Sequence, residues 1–257
     1  MNSLTTGRVF FALATIGTGL LQMLRQDFVR LVPKLPGWIP SHEWCATVAG
    51  GILVCAGVAL MTQKWVRMGA MVIGVFLFSV LLLYVPDVLA NPSKGYVWTN
   101  PFKTLALLAG VFLLGMDAAK GAGAGSDATP THGWLLGAVL LGAFLVIGGV
   151  QHFVYANFVE QLVPVWMPGR RIWVFITGAA LIAGGVGMVI PVTAHLVARL
   201  AALMIFLWVW MLHVPRALAT WPETGETAAI FEALALAGTA LIVAGAERKR
   251  LAAELVA

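Results

Sequence analysis

Ionisable side chains occur inside segments of the chain that are otherwise almost wholly apolar. His152, His213 and Glu232 each lie in such a segment, in the second half of the chain. Burying an ionisable group in apolar surroundings is costly, so these residues are candidates for a site. A carboxylate beside a histidine fixes the tautomer of the imidazole and stabilises its charged form, which is the arrangement of a proton-transfer pair. The sequence therefore predicts Glu232, His152 and His213 as catalytic, proton-handling residues.

A structural interpretation also exists for each of these residues. His152 and His213 lie near the ends of their segments, where an imidazole caps a helix or meets lipid headgroups, whereas Glu232 lies deeper. No two of the three stand three or four residues apart on one helix, which is the spacing of paired metal ligands, so no metal site is predicted.

Five further residues are predicted to bind a ligand beside this group: Trp210, Lys103, Tyr84, Gln151 and Trp166. Trp210 precedes His213 by three residues and shares a helical face with it, so its indole would form one wall of a pocket. Packing in the core is the alternative role for that tryptophan. Trp208 lies about 200° away from Trp210 around a helix, so only one of the two faces the core.

The composition determines the class of protein. Of 257 residues, 60% are hydrophobic and 11% are charged, whereas a soluble domain usually carries about 25% charged residues. This excludes a soluble enzyme and a disordered chain, and it indicates a polytopic membrane protein. The net charge of +5 comes from basic residues at the ends of apolar segments, which are ordinary membrane anchors, so no nucleic-acid partner is expected.

The two cysteines do not form a redox or metal motif. Cys45 and Cys55 are ten residues apart in one apolar segment, or roughly 15 Å along a helix at ~1.5 Å per residue. This separation is too large for a disulfide. No C-x-x-C pair is present, so dithiol chemistry is not expected.

Eight segments are long and apolar enough to span a membrane as helices. The predicted spans are Thr5–Leu24, Glu43–Met61, Val66–Tyr84, Pro101–Met116, Trp134–Tyr155, Ile172–Ile190, Thr193–Val214 and Thr227–Ala246. Prolines separate most of them, as expected where a helix must end. The predicted fold is an all-α polytopic membrane protein with eight transmembrane helices in two parallel four-helix repeats.

The repeat is visible in three matching segments. Residues 35–40 (LPGWIP) recur as 163–168 (VPVWMP), Tyr84-Val85-Pro86 recurs as His213-Val214-Pro215, and residues 102–107 recur as 231–236. In this alignment Lys103 corresponds to Glu232, and Met23 stands where the second copy has His152. The pseudo-twofold axis would bring Lys103 and Glu232 together as an ion pair between the repeats. The predicted domains are residues 1–118, a flexible linker at 119–133 and residues 134–257.

An even number of spans places both termini on one side of the membrane. The 16 lysines and arginines divide equally between the two sides, so the positive-inside rule does not decide the orientation. The basic run at 248–250 after the last span favours cytoplasmic termini. The expected location is a bacterial inner membrane.

The second half resembles the DoxX-like family of four-helix membrane proteins. The resemblance lies in Gly149-Val150-Gln151-His152-Phe153, in the turn at residues 162–168, in Ile176-Thr177-Gly178 and in the glycines at 184–187. The family includes tandem duplications and relatives of the membrane subunit of thiosulfate:quinone oxidoreductase. The resemblance implies a component of a quinone-linked redox system that binds a quinone or a similar apolar ligand, with membrane lipid and a redox protein as partners.

Two other classes of function remain open at the level of sequence. One is a non-catalytic membrane scaffold, chaperone or lipid-binding protein, and the other is a small-solute transporter. No flavin, haem or dithiol motif is present, so electrons for a redox reaction would come from a partner protein or a small reductant. The sequence does not decide whether the protein is an enzyme.

Overall fold

Long helices account for most of the chain. The computed structural model describes residues 2–37, 39, 41–121 and 130–254, and within these ranges it contains no β-strand. The α-helices are α1 (Ser3–Arg25), α2 (His42–Met61), α3 (Val66–Leu83), α4 (Val85–Ala90), α5 (Thr99–Gly121), α6 (Pro130–Val154), α7 (Ala156–Leu162), α8 (Arg170–Met188), α9 (Pro191–Trp208), α10 (Val214–Ala219) and α11 (Thr224–Glu254). A 3-10 helix covers Gly95–Trp98, and a π-helix covers Val209–His213 between α9 and α10.

Within the described residues, eight helical segments are long and apolar enough to cross a membrane. They correspond to α1, α2, α3 with α4, α5, α6, α8, α9 with α10, and α11. Each predicted span overlaps one of these segments, which confirms the all-α polytopic fold. The protein is therefore a multi-pass membrane protein. We call the membrane face at which α1 ends and α2 begins the hairpin face, and the face at which the chain begins the termini face.

The helices pack as two equivalent halves. In the first half α1 packs on α2 and α3 on α5, and in the second half α6 packs on α8 and α9 on α11. The first helix of each half also packs on the last helix of the other half, α1 on α11 and α6 on α5. In α11, 78% of the residues of the spanning window are buried, against 44% or less in every other span. The last helix therefore lies at the centre of the bundle.

Glycines set the spacing of the paired helices in both halves. A Cβ atom on Gly19 would lie 2.5 Å from the Gly50 carbonyl oxygen, and one on Gly149 would lie 2.7 Å from the Gly178 carbonyl oxygen. Backbones approach this closely only where no side chain intervenes. The two contacts are equivalent, so Gly19 corresponds to Gly149 in the packing.

This packing corrects the predicted alignment of the first helices by one residue. With Gly19 at the place of Gly149, Gln22 occupies the place of His152. The predicted match of Met23 with His152 is therefore wrong. A one-residue shift turns a helix by about 100°, so the correction decides which side chain points into the bundle. Gln22 is fully buried, whereas Met23 is 39% exposed.

The ends of the predicted linker are helical. Helix α5 continues to Gly121 and α6 begins at Pro130, so residues 119–121 and 130–133 of the predicted linker are helical. The remaining linker residues, 122–129, lie outside the described residues, as do Trp38 and Pro40 of the first proline-bounded turn.

The close approach of α1 and α2 predicts a difference between two adjacent glycines. A Cβ on Gly50 would lie 2.6 Å from the Gly19 carbonyl oxygen, whereas a Cβ on Gly51 meets no heavy atom within 4 Å. We expect Gly50→Ala to destabilise the fold by about 1–3 kcal/mol, the usual cost of overpacking. Gly51→Ala is the matched control and should preserve or slightly raise the melting temperature, because alanine favours helix. Equal melting temperatures for the two variants would contradict this account of the packing.

Candidate functional site

A buried ion pair joins the two halves at the centre of the bundle. Lys103 Nζ on α5 lies 2.6 Å from Glu232 Oε2 on α11, and the two residues are only 9% and 8% exposed. This confirms the predicted ion pair between the repeats. Lys103 and Glu232 are equivalent positions, and equivalent positions meet only on a twofold axis. The ion pair therefore marks the pseudo-twofold axis.

A second pair of equivalent residues confirms the position of the axis. Gly110 and Thr239 lie seven residues beyond Lys103 and Glu232, and a Cβ on Gly110 would lie 2.7 Å from Thr239 Oγ1. Seven residues are two helical turns, so both contacts lie on the same faces of α5 and α11. The two helices therefore run side by side, in register and in the same direction.

His213 pairs with a carboxylate that the sequence interpretation left out of the site. Its Nδ1 lies 3.5 Å from Glu226 Oε2, and the Arg216 guanidinium donates to Glu226 Oε1 at 2.6 Å. The predicted neighbour of His213, Glu232, is paired with Lys103 instead. Glu226 lies one residue before the predicted start of the last span, where it resembles an ordinary loop charge. Helix α11 begins earlier, at Thr224, and its first turn places Glu226 inside the bundle.

Tyr84 occupies the place of His213 in the first half. It is 7% exposed, and its hydroxyl donates to the Leu31 carbonyl oxygen at 2.5 Å. Leu31 belongs to the segment after α1 and is itself buried. The hydroxyl of Tyr84 therefore links this segment to the bundle.

His152 is held by its own helix and by a neighbouring indole. Its Nδ1 lies 2.7 Å from the Gly148 carbonyl oxygen, and its ring stacks on Trp208 with centroids 6.4 Å apart. None of the ion pairs in the described part of the chain includes His152. Among the described residues the structure therefore supplies a histidine–carboxylate pair at His213, with Glu226 in place of the predicted Glu232, and none at His152.

Trp208, and not the predicted Trp210, packs against one of the predicted histidines. Trp210 is 59% exposed and meets Phe206 edge to face, whereas Trp208 stacks on His152. Trp210 and His213 belong to the π-helix at Val209–His213, in which residues three apart do not share a face as they do in an α-helix. A prediction based on ideal α-helical spacing does not include this turn.

Gln151 links the halves and lines a groove. Thr99 donates to Gln151 Oε1 at 2.9 Å, and Gln151 Nε2 donates to the Gly95 carbonyl oxygen at 2.8 Å. The groove lies between α5 and α6 and has a volume of about 480 Å³. Its lining consists of Gly95, Trp98, Phe102, Val146, Ile147, Val150, Gln151, Val154 and Tyr155. Trp166 is 64% exposed in the turn between α7 and α8 and does not line this groove.

Three equivalent pairs of side chains together form a polar layer near the hairpin face. We use this name for Lys103 with Glu232, Tyr84 with His213, and Gln22 with His152. The predicted residues Glu232, His152, His213, Lys103 and Tyr84 all belong to it. Gln22 was not predicted as a site residue, because the predicted alignment placed Met23 at the position of His152. Among the residues that the structure describes, no three His, Cys, Asp or Glu side chains are grouped to hold a metal ion.

Several polar atoms of this region have no hydrogen-bond partner. They are Gln22 Nε2 and Oε1, Glu232 Oε1 and the nearby Thr227 Oγ1, whereas His213 Nδ1 has only its ion-pair contact with Glu226 at 3.5 Å. An unsatisfied buried polar group costs about 1–3 kcal/mol, so folded proteins keep few of them without a reason. The layer thus has hydrogen-bonding capacity that the protein itself does not use.

The position of the ion pair on the axis predicts how substitutions combine. We expect Lys103→Met to destabilise the protein by about 3–5 kcal/mol, because it leaves the Glu232 carboxylate buried without its counter-charge. The exchange of both residues, Lys103→Glu with Glu232→Lys, should recover most of the loss because the two positions are equivalent. Thermal unfolding in detergent measures both. A double exchange no more stable than Lys103→Met would contradict the symmetric environment.

Comparison with models of protein families gives a match in the second half of the chain. The model of a domain of unknown function, DUF8561, matches residues 141–250, which lie within the second repeat. No curated protein matches the chain. No solved structure matches it either.

Proposed function

We propose that the protein is a membrane component of a quinone-linked redox system and binds a quinone or a similar apolar, ring-bearing molecule. The observation on which this rests is the groove between α5 and α6. Its volume of about 480 Å³ lies in the range of ligand sites, roughly 300–1,000 Å³. The resemblance of the second half to the DoxX-like family supports the same class of function.

The lining of the groove suits a flat apolar ring with a polar edge. Trp98 and Phe102 supply aromatic faces with ring centroids 6.1 Å apart, and Val150 and Val154 open the groove to the lipid, since they are 46% and 64% exposed. Aromatic and aliphatic walls with a few polar groups are typical of small-molecule sites. A ligand dissolved in the membrane would therefore reach the groove from the side.

The two halves differ at this point. At the equivalent contact of α1 with α11, Gly17 leaves room for the ring of Phe231, which fills the space. In the second half Ile147 stands at the place of Gly17, and Phe102, the counterpart of Phe231, lines the groove. A side chain at residue 147 displaces the aromatic ring that would otherwise close the contact. The groove is thus a feature of one interface between the repeats and is closed at the other.

The polar layer lies next to the groove along α5. Phe102 lines the groove and the next residue, Lys103, lies on the axis with Glu232. A quinone, when bound, takes up two electrons and two protons. In this proposal Glu232 and His213 hold or deliver protons, since Glu232 Oε1 has no partner and His213 is coupled to Glu226. Lys103 supplies the counter-charge of the Glu232 carboxylate in apolar surroundings.

Lipid binding without redox chemistry is the second candidate function. Both ends of the Gln151 amide are already bonded, to Thr99 and to Gly95, which leaves few polar atoms for a ring oxygen. A groove of this kind also accommodates an acyl chain, as expected of a scaffold or a lipid-binding protein.

Two substitutions at equivalent positions test the groove. Val150 lines the groove on α6, and Leu20 is its counterpart on α1, where Phe231 closes the contact; both are 46% exposed. We expect Val150→Phe to weaken binding of a short-chain ubiquinone by about tenfold or more, equivalent to ~1.4 kcal/mol. Leu20→Phe should leave the affinity unchanged. Calorimetry on the purified protein in nanodiscs measures both.

Native mass spectrometry separates the two candidate functions. A retained quinone that is lost in Val150→Phe supports the redox proposal. A retained phospholipid, with no binding of added ubiquinone, supports lipid binding instead. Equal ubiquinone affinities for wild type and Val150→Phe would show that the groove is not the site.

A further inference from the structure

Gln22 is the buried polar residue whose bonding the fold leaves least explained. It is 0% exposed, and neither its Nε2 nor its Oε1 has a hydrogen-bond partner. Buried threonines elsewhere in the spans behave differently. Thr15 and Thr239 donate to the carbonyl oxygens of Phe11 and Ala235 in their own helices. The hydroxyl of a threonine within a helix commonly makes such a bond to the preceding turn.

Thr227 lies at about the depth of Gln22 on the neighbouring helix, α11. Helices α1 and α11 are antiparallel, with Gly17 against Phe231 and with Arg25 donating to the Pro222 carbonyl oxygen. Gln22 lies between these two contacts, at the depth of the first turn of α11. The hydroxyl of Thr227 in that turn is buried and has no partner either.

Side-chain direction brings Glu232 toward the same place. Helical side chains lean toward the N-terminus of their helix. Gln22 on α1 therefore leans toward the middle of the membrane, whereas Glu232 on the antiparallel α11 leans toward the hairpin face. The free Oε1 of Glu232 adds an acceptor to the donor and acceptor of Gln22 and to the hydroxyl of Thr227.

The carboxylates near this place are paired with basic side chains. Lys103 is paired with Glu232, and Arg216 is paired with Glu226. A neutral molecule fits such surroundings better than an ion. A molecule that both donates and accepts hydrogen bonds would satisfy the amide, the hydroxyl and the carboxylate together.

We propose that Gln22, Thr227 and Glu232 enclose a hydrated pocket, in which bound water connects the axial ion pair to the hairpin face. Gln22 lies three residues before the end of α1, or about 5 Å along the axis, so the path to the surface is one helical turn. Buried polar pockets in proteins hold water because the water forms hydrogen bonds with polar groups that have no partner within the protein. The pocket lies between α1 of the first half and α11 of the second half, away from the groove between α5 and α6.

Cysteine labelling tests whether water reaches the pocket. In a background of Cys45→Ser and Cys55→Ser, Thr227→Cys is compared with Thr15→Cys and Thr239→Cys, whose hydroxyls are bonded within their own helices. The probe is methanethiosulfonate ethylammonium, applied to the protein in nanodiscs. We expect Thr227→Cys to react at least about tenfold faster than either control, because only a hydrated thiol ionises to the reactive thiolate.

Thermal unfolding of Gln22→Met tests the bonding of the amide directly. If water bonds the amide, its replacement by an apolar side chain of similar size lowers the melting temperature by about 2 °C or more. If the amide is buried dry, the same change removes an unsatisfied group and raises the melting temperature. Thr15→Val is the control and should have little effect. Either a higher melting temperature for Gln22→Met or labelling of Thr227→Cys no faster than the controls would overturn the proposal.

Discussion

The contact of Lys103 with Glu232 is the interaction on which the organisation of the bundle depends. A lysine and a glutamate buried in a membrane protein are each costly alone, and together they are tolerated only at contact distance. Because the two residues occupy equivalent positions, their contact requires α5 and α11 to lie side by side on the pseudo-twofold axis. Once these helices are fixed, the first helix of each half packs against the last helix of the other. The ion pair thus specifies the arrangement of the repeats, whereas glycine contacts such as Gly19 with Gly50 specify the packing within each repeat.

The two halves share a backbone arrangement but differ in chemistry. At the places flanking the ion pair the first half has Gln22 and Tyr84, which carry no charge at neutral pH, and the second has His152 and His213. At the outer contacts the first half has Gly17 with a closed interface, and the second has Ile147 with a groove. Such differences arise easily after a duplication, because one copy can keep the packing while the other changes its polar residues. The two proposed sites accordingly lie at different interfaces between the halves, the groove between α5 and α6 and the hydrated pocket between α1 and α11.

The number of spans, the repeat and the axial ion pair were predictable because they depend on long-range regularities of the sequence. Apolar length determines a span, and an offset of 129 residues pairs Lys103 with Glu232. The errors come from local geometry that no such pattern records. A one-residue difference in helix alignment exchanges Met23 for Gln22, a π-helix separates Trp210 from His213, and an earlier start of α11 brings Glu226 into the bundle. Each of these depends on backbone packing, to which apolar periodicity is insensitive.

The unsatisfied polar atoms near the axis have a physical reason to be grouped. A buried ion pair is stable only if the remaining lone pairs and protons of its members also find partners. Lys103 uses one carboxylate oxygen of Glu232, and the other oxygen has no partner within the protein. Gln22 is a second interior residue with both a donor and an acceptor. In the proposed pocket, water bonds both the Gln22 amide and the free oxygen of Glu232. Gln22 would then support the ion pair through bound water. The need to satisfy the buried pair of Lys103 and Glu232 thus accounts both for the contact of α5 with α11 and for a buried amide at residue 22.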